Sequence, residues 1–195
     1  MPRLFISINC NDETKNLLIS AQDRIREQSI KGSFSRPENL HLTLVFLGET
    51  PEAQIPAFCS VVEESAQLKH AAQQKHTAQS PVAPFVITFS HTGFFTHSNK
   101  ELWWIGADRG DPFLSVLKNL RQQITKGLSA LNIAFDNRSF NPHITLGREI
   151  KHSAPIVIPK QEIKYPVNRI SLMKSQRLNG ALFYTELFGQ DLSGE

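Results

Sequence analysis

The chain has 195 residues, 40% of them hydrophobic, a net charge of +3 and a pI near 9.0. That apolar share supports a sizeable core and excludes global disorder, while the small charge excess suits an anionic ligand without implying nucleic acid by itself. Two cysteines, Cys10 and Cys59, cannot make a disulfide framework or a zinc ribbon, and no run is apolar enough for a signal peptide or a membrane span, so a soluble cytoplasmic protein is expected.

Along the chain, "RLFISI" from Arg3 reads as a strand. A helix follows, capped by Asn11 or Asp12, with Leu17, Leu18, Ala21 and Ile25 as its stripe. "KGSFSRPEN" reads as a loop, and His41 to Leu47 as a strand ended by Gly48. Thr50-Pro51 marks a second helix start, with Ile55, Phe58, Val61 and Val62 on its apolar face. Pro56 is awkward inside that helix, so its first turn is irregular or it starts later. The Gln- and Ala-rich stretch 66–84 reads as a flexible insertion. Strands "PFVITFS" and "ELWWIGADR" flank an aromatic loop that carries His91 and His97. Asp111-Pro112 opens a third helix, with Phe113, Val116, Leu117, Leu120, Ile124 and Leu128 on one face. "SFNPHITLG" is a strand, and "VNRISLMKS" and "ALFYTELF" form a closing pair about Asn179-Gly180.

The halves repeat one order: strand, helix, then a strand opening His-x-Thr-Leu, with His41 and His143 102 residues apart. The repeat predicts an α+β fold of two pseudo-symmetric lobes, one domain over 1–195. Alternation in an unbroken strand puts His41, Thr43, Val45 and Leu47 on one face, and His143, Thr145 and Gly147 on the matching face. A lone His-x-Thr is an ordinary core histidine beside a β-former. Two copies in matching positions would bring two imidazoles and two hydroxyls to one cleft. That set suits phosphoester chemistry without a metal: one imidazole takes a proton from water, the other protonates the leaving oxygen, and the hydroxyls hold the phosphate. Arg148 could add a guanidinium, provided the chain bends at Gly147, since strict alternation points it away from His143.

Of the other histidines, His70 and His76 read as solvated, His152 as surface, and His91 and His97 as candidates for substrate contact. No Asp/Glu/His cluster has metal-ligand spacing, so no metal or other cofactor is expected, and no Gly-rich phosphate loop precedes a helix, which disfavours an ATP-dependent ligase.

The stretches "RLFISI", "RPENLHLTLVFLGET", "LWWIGAD", "FNPHITLGR" and "ISLMKSQRLNGALFYTELF" lie in this order over nearly the whole chain. On them the sequence resembles the 2H phosphoesterases, within these the RNA 2',3'-cyclic phosphodiesterases once called 2'-5' RNA ligases. The resemblance implies two antiparallel sheets flanking a central cleft, with helices outside. It implies hydrolysis of a terminal 2',3'-cyclic phosphate of RNA to a 2'-phosphate, with His41 as proton donor, His143 as proton acceptor, and Thr43, Thr145 and Arg148 on the phosphate. RNA ends are the implied partner, and a monomer is expected. Two other functions fit the same motifs: a phosphodiesterase on small cyclic nucleotides or 2'-5' linkages, and an RNA-end binder without turnover. Intact histidines in both motifs argue against the binder.

Overall fold

The computed structural model describes residues 1–67, 83–98 and 100–193. Its elements are β1 (Arg3–Asn9), α1 (Asp12–Glu27), β2 (Lys31–Phe34), β3 (His41–Glu49), α2 (Ile55–Gln67), β4 (Phe85–His97), β5 (Lys100–Ala107), α3 (Leu114–Ala130), β6 (His143–Lys151), β7 (Ile163–Val167), β8 (Arg169–Leu178) and β9 (Ala181–Asp191). His70, His76 and most of the expected 66–84 insertion lie outside the described residues, as does the side chain of His97. Among the described residues no helix is long and apolar enough to cross a membrane.

All strand pairs are antiparallel, in the order β7-β4-β5-β6-β3-β1-β8-β9, with β2 beside β6. The order is two-fold: β3-β1-β8-β9 on one side answers β6-β5-β4-β7 on the other. The halves meet at one residue pair, Leu42 opposite Ile144. The two expected sheets are therefore one curled sheet, pinched between the motif strands.

The helices cross over. α1, which leaves β1, packs on β2, β6 and β7 of the opposite half; α3, which leaves β5, packs on β3 and on α2, while α2 covers β8 and β9. Leu18, Ala21 and Ile25 of α1 join Leu117, Leu120, Ile124 and Leu128 of α3 in one core with Leu4, Ile6, Ile8, Leu42 and Ile144. Fully burying a large apolar side chain of this kind contributes about 1.5–3 kcal/mol, so a one-residue slip of either motif strand, which would turn its leucines outward, is strongly opposed.

The motif strands are bulged at matching places. Between β1 and β3, Ser7 pairs with Thr43 but Ile6 with Val45, leaving Leu44 as the extra residue. Between β5 and β6, Trp104 pairs with Thr145 but Trp103 with Gly147, leaving Leu146. Each bulged carbonyl is held by the helix that crosses from the other half. Gln22 Nε2 of α1 donates to Leu146 O at 2.7 Å and to Ser35 O at 2.7 Å. Arg121 Nε of α3 donates to Leu44 O at 3.2 Å. A bulge reverses the alternation beyond it. Val45 and Leu47 are consequently buried, and Phe46 is 42% exposed, opposite to what unbroken alternation predicts. On β6, Leu146 and Gly147 both turn in and Arg148 comes out.

Other elements differ from the local reading for physical reasons. Lys31–Phe34, read as loop from Gly32 and Ser33, pairs as β2 with the edge of β6. The aromatic "loop" is strand: β4 and β5 run on to a turn at Ser98, whose φ is 49°. β7 escapes a sequence reading because Pro166 interrupts it, which an edge strand tolerates. α2 starts at Ile55, after a 3-10 turn over Glu52–Gln54, so Pro56 falls in the first turn, where no intrahelical donor is lost. Leu17 is 41% exposed, and the stripe of α1 is Thr14, Leu18, Ala21, Gln22 and Ile25. The closing hairpin turns at Asn179 and Gly180 with φ of 51° and 80°, the left-handed pair a two-residue hairpin needs.

Gln22→Leu fills similar space but removes the donor to two carbonyls. It is expected to cost about 1–3 kcal/mol, the penalty of unpaired buried acceptors. Urea unfolding measures it, and an unchanged midpoint would mean that the backbone bond from Ser35 N to Leu146 O holds the bulge alone.

Candidate active site

Leu42 and Ile144 both point into the core, so the residues on either side of each point into the cleft. Antiparallel counting from that pair sets His41 across from Thr145, and Thr43 across from His143. All four side chains are half-buried. The pinch between the half-sheets is thus also the place where the two motifs meet.

Each imidazole is oriented in the same way. His41 Nδ1 lies 2.7 Å from Asn39 O, and His143 Nδ1 lies 2.7 Å from Asn141 O. A carbonyl only accepts, so Nδ1 carries the hydrogen in both rings and Nε2 is the nitrogen left for chemistry. His41 Nε2 is 2.9 Å from Thr43 Oγ1, where the neutral ring accepts the hydroxyl hydrogen. Two aromatic rings fix each imidazole from the sides. His41 has Phe5 of β1 at 4.9 Å and Tyr184 of β9, edge-on, at 5.1 Å. His143 has Phe95 of β4 at 5.5 Å and Trp104 of β5 at 6.1 Å.

The site is electrostatically positive. Burial lowers His41 to about 4; the carbonyl of Asn39 opposes that shift, and the charges of Arg148 and His143 reinforce it. His143 is lowered too, by burial first, with Asn141 O opposing and Arg148 reinforcing. Arg148 is exposed, has no carboxylate within ion-pair distance among the described residues, and its charge reaches both rings. The bulge at Leu146 supplies the bend that Arg148 requires.

All five candidates, His41, Thr43, His143, Thr145 and Arg148, therefore border one cleft. Reasoning from sequence missed the carbonyls of Asn39 and Asn141, the rings of Phe5, Tyr184, Phe95 and Trp104, and the supports Gln22 and Arg121. The carbonyls had a signal: the repeat extends upstream to Asn-x-His-x-Thr-Leu in both halves. The rings come from four different strands and share no spacing. His152, read as surface, is half-buried against Glu101 at 3.0 Å, and Glu101 also accepts from Trp103 Nε1 at 2.8 Å. Among the described residues no three His, Cys, Asp or Glu side chains are grouped to hold a metal. A cavity of about 580 Å³ at the start of β1, beside Glu52 and Lys174, includes none of the five candidates, so volume alone does not mark this site.

A family model for the 2'-5' RNA ligase superfamily matches residues 18–179. An RNA 2',3'-cyclic phosphodiesterase of Thermus thermophilus is 30% identical, over 99% of this chain and 91% of its own. A crystal structure of a Thermus thermophilus protein superposes with a TM-score of 0.75 at 30% identity and covers 99% of both chains. Escherichia coli LigT in its apo form gives 0.74 at 26% identity over 98% of both. With likeness of sequence and of backbone running the length of the chain, it belongs to the 2'-5' RNA ligase superfamily, the 2H phosphoesterases.

Proposed function

We propose that this chain, working as one two-lobed domain, hydrolyses the terminal 2',3'-cyclic phosphate of RNA to a 2'-phosphate. The observation that carries the reading is the pair of imidazoles, each tied through Nδ1 to a backbone carbonyl and each presenting Nε2 to one cleft beside a threonine and the Arg148 guanidinium. The name of the Thermus thermophilus relative supports the substrate class.

The chemistry divides among these groups as follows. Water attacks phosphorus, a P–O bond forms, and His143 Nε2 takes the water proton. The bond from phosphorus to O3' breaks, and a proton on His41 Nε2 passes to O3'. Thr43 and Thr145 hydroxyls donate to the non-bridging oxygens, and the Arg148 guanidinium faces their charge. This division of roles between the histidines follows the family resemblance. Acid, base and counter-charge all come from side chains, so turnover is expected to survive excess chelator; full loss, restored by one divalent metal, would overturn the mechanism.

Product analysis on an RNA ending in a 2',3'-cyclic phosphate is the direct test. A 2'-phosphate is expected, and a 3'-phosphate product or no turnover would refute the reading. His41→Ala and His143→Ala should each lose ~10²–10⁴ in rate, the usual worth of a placed acid or base. The double variant should fall short of the product of the two losses, because the groups act as a unit. Thr43→Val and Thr145→Val keep shape, delete one donor, and should lose less.

The free enzyme at pH 7 holds His41 neutral, since its pKa is about 4. A bound phosphate anion opposes Arg148 and raises both histidines, which lets the acid load its proton with substrate in place. Because kcat/KM reports the free enzyme, its bell should peak on the acid side of about 6.5, and kcat should peak at higher pH. The limbs belong to the coupled pair, and variants separate them. In His143→Asn the acidic limb should vanish, leaving residual kcat/KM that falls as pH rises through about 4. In His41→Asn the residual activity should rise with pH instead. The opposite responses would exchange the two roles.

A further inference from the structure

On the cleft floor, Gly106 of β5 pairs with His143 of β6 on one side and with His91 of β4 on the other. The three residues form one row across the sheet, and the middle one has no side chain. His91 lies over that gap: a Cβ on Gly106 would sit 2.6 Å from His91 Nε2 and 2.9 Å from Trp104. His91 also stands edge-on to Trp104 at 5.5 Å, and Trp104 borders His143. Just past His91, where β4 runs on beyond its pairing with β7, a cavity of about 240 Å³ opens against residues 158–161. Its polar walls are Ser90, His91, Thr92, Lys160 and Gln161.

These walls carry the Lys160 ammonium together with side-chain donors of His91, Thr92 and Gln161. Lys160 is exposed and has no ion-pair partner among the described residues. Gln161 Nε2 is buried without a hydrogen-bond partner. The nearby carboxylate, Asp108, accepts from Ser90 Oγ at 2.6 Å and from Gly110 N at 2.8 Å; these bonds first, and the charge of Lys160 after them, keep it anionic, but it forms no ion pair with Lys160. A buried unpaired donor beside a free ammonium suits an anionic oxygen. The backbones of His91 and His143 are two interstrand spacings apart, about 10 Å, and the His91 ring leans back over Gly106; the cavity lies on its far side, too far for the scissile phosphate and within reach of a neighbouring one.

We propose that the cavity bounded by His91, Lys160 and Gln161 is a second phosphate subsite, which binds a phosphodiester on the 5' side of the cyclic end. Resting on the activity proposed above, it makes the enzyme selective for an oligonucleotide over a cyclic mononucleotide. The intervening nucleotide lies over the His91 ring, which covers Gly106 between the two phosphates.

The test compares wild type, His91→Asn, Lys160→Gln and the double variant. An RNA pentamer and a mononucleotide, each ending in a 2',3'-cyclic phosphate, are turned over, and a labelled pentamer with a 3'-phosphate is titrated at several salt concentrations. The double variant should raise KM for the pentamer roughly tenfold, the equivalent of one lost charge-assisted contact, with kcat kept. The mononucleotide ends before the cavity and should keep its KM. Lys160→Gln should reduce the slope of log affinity against log salt by about 0.7, one phosphate contact on a single strand. Unchanged pentamer binding and salt slope would overturn the subsite. Equal losses on both substrates would also overturn it, since His91 would then act on His143 through Trp104. Wild-type protein that turns over neither substrate would refute the activity instead, and the titration would still decide the cavity.

Discussion

Two backbone carbonyls, Leu44 O and Leu146 O, are the constraint on which the site depends. Each belongs to the extra residue of a bulge, and that residue directly follows a motif threonine. A bulge exposes backbone groups that no neighbouring strand can pair, so it needs a partner from elsewhere. Here that partner is a side chain from the helix belonging to the other half: Arg121 for Leu44, and Gln22 together with Ser35 N for Leu146. The crossing of α1 and α3 therefore does more than close the core. It lets each half hold the irregularity that shapes the other half's motif strand, which ties the geometry of the cleft to the packing of the whole chain.

The same crossing governs the electrostatics. By reversing alternation, the bulge on β6 brings Arg148 to the cleft face with both histidines. A guanidinium beside two imidazoles in a half-buried cleft disfavours their charged forms, and burial adds to it. The cleft thus resists protons and attracts an anion for the same reason. An anion answers both conditions together. Binding of an anion offsets Arg148 and eases protonation of the rings, so the two events are coupled.

How much of this is legible in the sequence follows from what is local. The duplicated His-x-Thr-Leu, the strand-helix-strand order around it and most of the faces of α1 and α3 are short-range patterns that the fold repeats, apart from Leu17 and Phe113, which are exposed. The face of Phe46 is not legible because a bulge is not written in hydrophobicity: Leu44, Val45, Phe46 and Leu47 are all apolar, and any of them could be the buried ones. β2 is hidden because Gly32 and Ser33 read as loop, whereas Lys31, Ser33 and Phe34 pair with β6 and Gly32 sits at an irregularity where a Cβ would collide with the side chain of Ile150. Gln22 looks like an exposed position of a helix stripe and is instead buried, since only the crossed helix gives it two carbonyls to reach.

A two-fold scaffold poses a problem for chemistry that needs opposite roles from like residues. The halves agree in the Asn carbonyl, the histidine, the threonine and the bulged leucine, which fixes both rings in the same tautomer. They part three residues after each threonine, at the first outward position past the bulge: Phe46 on β3, Arg148 on β6. They part again at Nε2, which Thr43 engages on His41 at 2.9 Å. Symmetry thus supplies two identical, pre-oriented nitrogens, and the departures from it make the nitrogens unlike. The cation comes from one half only, so two like rings stand in a field that the two-fold repeat does not share.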